Sequence, residues 1–492
     1  MYSLSEFYEQ VMKGQWNGSI EFSNDQDVCG YSDLGTLLSN TYKKLVDNGV
    51  THSDRVIVNA SSTIETISLM ISLWKIGAVV IPVKPGVNYS DIQNDSGAKY
   101  FVDEDNVKTL SLNNTISSKS RFVINTERTV TGVDLALIIY TSGSTGLAKG
   151  IMLSHANVIT AIESVSEYLS ITDSDRILCT SPLSFDYGLY QLLFSLYKHA
   201  SIIIYQGMMQ PIKLVKVLSN SDISIFPVVP ATALILEKGL NVASVSLPNL
   251  RMITNTGGHL MQRCISAYQI KIPHVSIVPM YGLTESKRAL YLPPDMTSEK
   301  LGSVGIPMPG LEVKLFREVV ENDFTEIHEV AIGEVGELFV RGSTVMQGYV
   351  TDHGTGAVLH RGDYRDDNWL STGDLFKQDC DGYFYFVGRS KELIKQFGYC
   401  LYPHEIENLL MKSNLVDLAV VVLDYDQLEQ EMAHAIIKLK QGESAESFRS
   451  WMLENTDRDY RPNKISYVDE FIFTPNGKPD KKSLLEKIRE ST

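Results

Sequence analysis

From about residue 50 to 285 the chain alternates short β-branched runs with stretches whose apolar residues recur every three or four positions. RVIVNA, AVVIPV, RFVIN, ALIIYT, RILCTS, ASIIIY, ISIFPVV, RMITNT and VSIVPMY read as strands. NVITAIESVSEYL and PIKLVKVLSNS, lying between strands, read as amphipathic helices. Such alternation predicts an α/β fold of parallel sheets covered by helices, because parallel neighbours need a long crossover and a helix supplies it compactly. Ligands then gather at the carboxyl ends of the strands, where the loops are.

The pattern changes over about 311–388, where LEVKLF, GELFVRG and GYFYFVG alternate with turns and predict a more antiparallel, β-rich subdomain. After Gly388 it changes again, to a helix (PHEIENLLMKS), two strands (DLAVVVLD, HAIIKLK), a helix (ESFRSWMLEN) and a strand (ISYVDEF). The predicted organisation is a large N-terminal domain over 1–388 and a small α+β domain over 389–492. No repeat or low-complexity segment interrupts it.

Charge and composition narrow the function classes. A net charge of -15 lacks the basic footprint of a nucleic-acid binder. The most apolar early run, TISLMISLWKIGAVVIPV, is broken by Lys75 and Gly77, and reads as a buried helix and strand rather than a membrane span. Five scattered cysteines without a C-x-x-C pair suggest neither a disulfide framework nor a zinc site. The opening MYSLSEFYEQ has no signal-peptide pattern, so a cytoplasmic location is expected.

The stretch YTSGSTGLAKG, residues 140–150, concentrates small hydroxyl residues and glycines before one lysine. Such residues let a backbone approach an anion while N–H and O–H groups donate to it. The segment follows the apolar run LALIIY and precedes a helix-like stretch opening at Ser154, a strand–loop–helix setting that favours anions. Its spacing fits neither the Walker loop nor G-x-G-x-x-G. By itself it is a turn or an anion loop.

Further stretches give it a context. In order come YGLTE (281–285), GEVGELFVRG (333–342), WLSTGDL (369–375), GRSKELIKQFGYCLYPHEIE (388–407) and PNGKPDKK (475–482). Together with the 140–150 loop these resemble the motifs of the adenylate-forming (ANL) superfamily, which includes acyl-CoA synthetases, peptide-synthetase adenylation domains and beetle luciferases. The resemblance covers nearly the whole chain. It implies ATP and Mg²⁺ as cofactors, an acyl adenylate as intermediate, and a small mobile C-terminal domain that rotates between two half-reactions.

The resemblance also assigns residues. Thr141, Ser142, Gly143, Ser144, Thr145, Gly146 and Lys149 would cradle the β- and γ-phosphates of ATP. Tyr281 would stack on adenine opposite Gly257 and Gly258, Thr284 would bond the α-phosphate, and Glu285 would hold Mg²⁺, a hard ion that takes oxygen ligands. Asp374 and Arg389 would reach the ribose. Lys478 would bridge the substrate carboxylate and α-phosphate as charge develops. Lys391 matches the hinge position, and Gly398 the loop that enters for thioester formation.

The substrate pocket is expected from segments 181–193, 226–231, 254–260 and 280–294. Phe185 stands where the family has an aromatic gate. Asp186 has two readings: it pairs with a substrate amine, as in amino-acid-activating relatives, or it caps the next helix or meets Lys287 or Arg288. If those two basic residues face the pocket, a second carboxylate or polar tail on the substrate becomes plausible. Cys400 departs from the polar or basic residue usual near the entry loop. No carrier domain follows, so the acceptor is CoA or the phosphopantetheine thiol of a separate carrier protein. The expected function is an acid–thiol ligase acting on a small carboxylic or amino acid; a catalytically silent nucleotide-binding protein is the alternative of a different class.

Overall fold

The run TISLMISLWKI folds as the helix Ile64–Ile76, opened by the Thr63 side chain, which accepts from the Thr66 amide, and closed by Gly77 at φ 83°. Its residues from Ile67 to Trp74 are all buried, as a helix apolar on every side requires. The strand Val79–Val83 that follows is buried throughout. These elements belong to a computed structural model that describes residues 1–490 except 25–26, 31–33, 105, 111–127, 143–147, 208, 244, 322–323, 351–368, 397–398, 426–429 and 475–476. The predicted strand RFVIN lies outside the described residues.

The chain divides into two compact units. The first comprises Met1–Thr297, Pro307–Glu312 and Arg341–Trp369; the second comprises Ser298–Ile306, Val313–Val340 and Leu370–Thr492. In the first unit, one sheet places side by side the strands Ser276–Tyr281, Met252–Asn255, Ile225–Val228, Arg176–Cys179, Ser201–Gln206 and Ile20–Asn24. All six run parallel. A second sheet has the order Gly348–Tyr349, Ala148–Ser154, Leu135–Ser142, Val79–Val83, Arg55–Asn59, Tyr100–Asp103 and Asn106–Thr109. Its middle is parallel and its margins antiparallel. The α/β class predicted from the alternation is the one observed.

The second unit carries a five-stranded antiparallel sheet in the order Phe324–Glu329, Leu311–Glu321, Gly336–Gly342, Leu370–Gln378 and Phe384–Arg389. After a 3₁₀ turn at Ser390–Glu392, the strands Val416–Tyr425 and Glu431–Leu439 pair antiparallel and Lys464–Tyr467 joins in parallel. The run DLAVVVLD lacks polar alternation because both faces are covered. Ala419 and Val421 pack with Ile406, Leu410 and Phe448, while Val420 and Val422 pack with Leu484. Among the described residues no helix is long and apolar enough to cross a membrane.

Candidate active site

The two ends of the 140–150 stretch lie on paired strands. Strands Leu135–Ser142 and Ala148–Ser154 pair antiparallel, with Thr141 opposite Lys149 and Ser142 opposite Ala148. The expected strand–loop–helix setting is therefore corrected: a whole strand separates the loop from the helix His155–Tyr168, whose first turn is capped by Ser154. Short amphipathic strands and helix starts share residue types, which is why AKGIMLS did not read as a strand. Lys149 lies near the start of the second strand, beside Thr141 near the end of the first. Gly143, Ser144, Thr145 and Gly146 lie outside the described residues.

Lys149 leads to a residue the sequence did not single out. Its Nζ lies 5.3 Å from the centroid of the Tyr349 ring. Tyr349 sits on the short strand Gly348–Tyr349, paired with Ile151 on the hairpin's second strand. Its phenol donates to Glu285 Oε1 at 2.9 Å, and the Met346 amide donates to the Glu285 carbonyl at 2.7 Å. Burial, and then the Glu285 carboxylate, raise the pKa of Tyr349, so the phenol keeps the proton it donates. Three segments far apart in sequence thus bring together the loop lysine, an aromatic donor and the carboxylate assigned to Mg²⁺.

Strands Met252–Asn255 and Ser276–Tyr281 lie side by side in parallel register, so both deliver their following residues to the same sheet edge. One delivers Gly257 and Gly258, the other Tyr281 as its last residue. Gly257 has φ 78°, and a Cβ on Gly258 would come within 2.8 Å of Pro230 Cγ. Gly257, Gly258 and Tyr281 thus stand at the ends of adjacent strands.

The turn after Tyr281 is unusually tight. The Ser286 and Lys287 amides both donate to the Leu283 carbonyl, at 3.2 and 2.7 Å, and the Ala289 amide returns to the Tyr281 carbonyl at 2.9 Å. A Cβ on Gly282 would lie 2.0 Å from the Lys287 carbonyl oxygen, so only glycine fits there. Lys287 itself has φ 68°. Holding a lysine in that left-handed region costs on the order of 1 kcal/mol.

Asp186 begins the helix Asp186–Lys198, with Phe185 as its N-cap and no side-chain cap bond. Thr284 Oγ1 donates to Asp186 Oδ2 at 3.1 Å, and Lys287 Nζ stands 3.8 Å from the same oxygen. Asp186 thus has Lys287 within ion-pair range. Asp186, Lys287 and Arg288 are only 8%, 2% and 6% exposed. Lys287 Nζ lies 4.5 Å from the centroid of the Tyr190 ring and Arg288 Cζ 5.0 Å from that of Tyr187. The Tyr187 hydroxyl meets Thr254 Oγ1 at 3.1 Å, drawing the 254–260 segment into the same neighbourhood. Burial pushes the Lys287 ammonium down to about 8, against the opposing pull of Asp186.

The remaining predicted residues belong to the second unit. Asp374 and Arg389 are register neighbours on adjacent strands, with Arg389 Nε 3.4 Å from Asp374 Oδ1. Gly373 turns at φ 71°, and its carbonyl accepts from the Ser390 hydroxyl at 2.7 Å. Lys391 is exposed in the turn Ser390–Glu392. Lys478 is exposed on a second turn, where the Thr474 amide donates to the Lys478 carbonyl at 2.7 Å. Gly398 lies outside the described residues.

A sequence profile of AMP-binding enzymes matches residues 14–350. The chain is 28% identical over 368 residues to a probable CoA ligase of Humulus lupulus, covering 72% of this chain and 63% of that protein. It is 26% identical over 480 residues to a 4-coumarate–CoA ligase-like protein of Arabidopsis thaliana, covering 90% of this chain and 83% of that one. Its fold matches that of o-succinylbenzoate CoA synthetase from Bacillus subtilis with a TM-score of 0.78 at 20% identity, covering 98% of each chain. With a profile match over well above half of its length, this chain belongs to the AMP-binding enzymes of the adenylate-forming superfamily.

Proposed function

We propose that this protein is an AMP-forming acid–thiol ligase. The observation that carries this reading is the meeting of Lys149, Tyr349 and Glu285, with Thr284 next to Glu285 in the chain. In the first half-reaction an oxygen of the substrate carboxylate attacks the α-phosphorus of ATP, and the bond to the departing pyrophosphate breaks. The chain contributes position and charge rather than a covalent nucleophile. Lys149 and the hairpin amides take up charge on the leaving phosphates, and Thr284 donates toward the α-phosphate. Lys478 neutralises the carboxylate and α-phosphate as they approach.

Glu285 fits a Mg²⁺ ion: one of its oxygens is occupied by Tyr349, the other can coordinate, and this ion takes most of its ligands from phosphate oxygens and water. When bound, the ion would draw negative charge from the β- and γ-phosphates. Asp374 and Arg389 would hold the ribose, and Tyr281 with Gly257 and Gly258 the adenine. A thiol then attacks the acyl carbon, AMP leaves, and the thiol proton passes to solvent. We take the acceptor to be CoA or the phosphopantetheine arm of a separate carrier protein. Rotation of residues 389–492 about Lys391, bringing in Gly398, would exchange Lys478 for the thiol.

The position of Lys287 on Asp186 favours an acid without an amine over an amino acid. Free thiols at Cys179, Cys264 and Cys380 suit the reducing cytoplasm. The test is ATP–pyrophosphate exchange across plain and amino acids, followed by thioester formation with CoA. Exchange with plain acids is expected; ATP binding without exchange for any acid would return the chain to a silent nucleotide-binding protein.

A further inference from the structure

The cluster at the Tyr281 turn has more positive charge than the described residues answer. Lys287 and Arg288 are both buried, and Asp186 is the carboxylate in ion-pair range of Lys287. Glu285, the other carboxylate that Lys287 feels, already accepts from Tyr349. Among the buried polar atoms with no hydrogen-bond partner among the described residues are Lys287 Nζ, Arg288 Nε, the Tyr190 hydroxyl and the adjacent Ser286 hydroxyl. Arg288 spends one nitrogen on the Lys287 carbonyl, at 3.1 Å. Buried donors and buried charge are costly when unanswered. Their retention, on a turn that also holds Lys287 at positive φ, points to a ligand that completes the set.

The donors define the ligand. An ammonium, a guanidinium edge and a phenol together present N–H and O–H groups and a net positive charge, which a carboxylate with its four lone-pair sites satisfies. A hydroxyl or amide would leave the charge unanswered, and an amine would add to it. The place is set by Thr284: it donates to Asp186 at 3.1 Å and is the residue assigned to the α-phosphate, so the cluster adjoins the reacting carboxylate.

We propose that Lys287, Arg288 and Tyr190 bind a second carboxylate at the far end of the substrate, so that this enzyme activates dicarboxylic acids. This rests on the ligase reading above. Asp186 then acts as the partner that holds Lys287 in place until the substrate arrives, rather than as a receptor for an amine.

The experiment is pyrophosphate exchange with matched acids that differ in one terminal group: succinate against butyrate, glutarate against valerate, adipate against hexanoate, terephthalate against 4-toluate. At least one dicarboxylate should exceed its partner in kcat/KM by about 100-fold, the upper scale for leaving one buried donor unpaired. Lys287→Met should collapse that ratio toward one. Should the variant not fold, the wild-type melting temperature with AMP present serves instead, rising with the preferred dicarboxylate and not with its monocarboxylate partner. Equal use of the two members of every pair, or a Lys287→Met loss that falls equally on both, overturns the proposal. So does a preference for α-amino acids that disappears in Asp186→Asn. Absence of exchange with every acid, with ATP still bound, overturns the ligase reading itself.

Discussion

Tyr349 donates its phenol to the Glu285 carboxylate at 2.9 Å, joining residues 64 positions apart. The bond occupies Glu285 Oε1 and leaves the other oxygen for a metal. Tyr349→Phe keeps the ring under Lys149 and removes the donor. The expected outcome is a fall of about 10-fold in adenylation rate and a higher Mg²⁺ requirement, with a stability change of only about 1 kcal/mol. Pyrophosphate exchange titrated with Mg²⁺ checks this; a variant matching the wild type at every Mg²⁺ concentration would leave Tyr349 a packing residue.

Lys478 stands exposed on its turn and is assigned to transition-state charge rather than to ATP affinity. Lys478→Ala should therefore cut adenylation by roughly 100- to 1,000-fold while leaving ATP binding, measured by calorimetry, within a few-fold of the wild type. An unchanged adenylation rate removes the assignment.

Lys287 gives a pH signature of opposite sign to a surface lysine. Burial lowers its pKa in the folded chain to about 8, below the value of 10.5 for an ordinary lysine, with Asp186 and Glu285 pulling it up and Arg288 pushing it down. Between those two values the unfolded chain holds more protons than the folded one, so stability rises with pH across that window. Relative to Lys287→Met, the wild type should gain up to about 3 kcal/mol there, read from urea midpoints. A gain as pH falls would mean that the Asp186 pairing outweighs burial.

Asp424 anchors the end of the second unit. Its carboxylate meets His434 Nδ1 at 3.0 Å, Lys464 Nζ at 3.3 Å and Arg489 at 2.8 Å, the last of these on the closing helix Lys481–Glu490. Burial raises its pKa, but Arg489, the Tyr425 amide, Lys464 and His434 outweigh it and hold the group at about 2. Its stabilisation is present above the ordinary carboxylate value of 3.8 and is lost as pH falls toward 2. Asp424→Ala should cost about 3 kcal/mol at neutral pH and speed hydrogen exchange in the last helix first. Exchange that rises uniformly across both units would contradict a local anchoring role.

Much of the candidate site was legible before any tertiary contact was known. YTSGSTGLAKG, YGLTE, STGDL and NGKPD carry their residue types at fixed local spacings, and the strands that present them show as apolar runs. Less legible were the features made by pairing. AKGIMLS became a strand through its ladder to Leu135–Ser142, and a seven-residue stretch has no periodicity long enough to announce that. Tyr349 was passed over because an isolated G-Y pair carries no local signature of a partner.

The sequence by itself determined the family, the order of the elements and the identity of the groups available for adenylation. Only the tertiary structure decided who meets whom: that Glu285 is held by Tyr349, that Asp186 faces Lys287 across 101 positions, and that Lys287 Nζ, Arg288 Nε and the Tyr190 hydroxyl find no hydrogen-bond partner among the described residues. The reason is physical. Helix and strand periodicity is set by neighbours within a few residues, whereas buried charge is balanced, or left unbalanced, by whatever the packed sheets and helices carry alongside it.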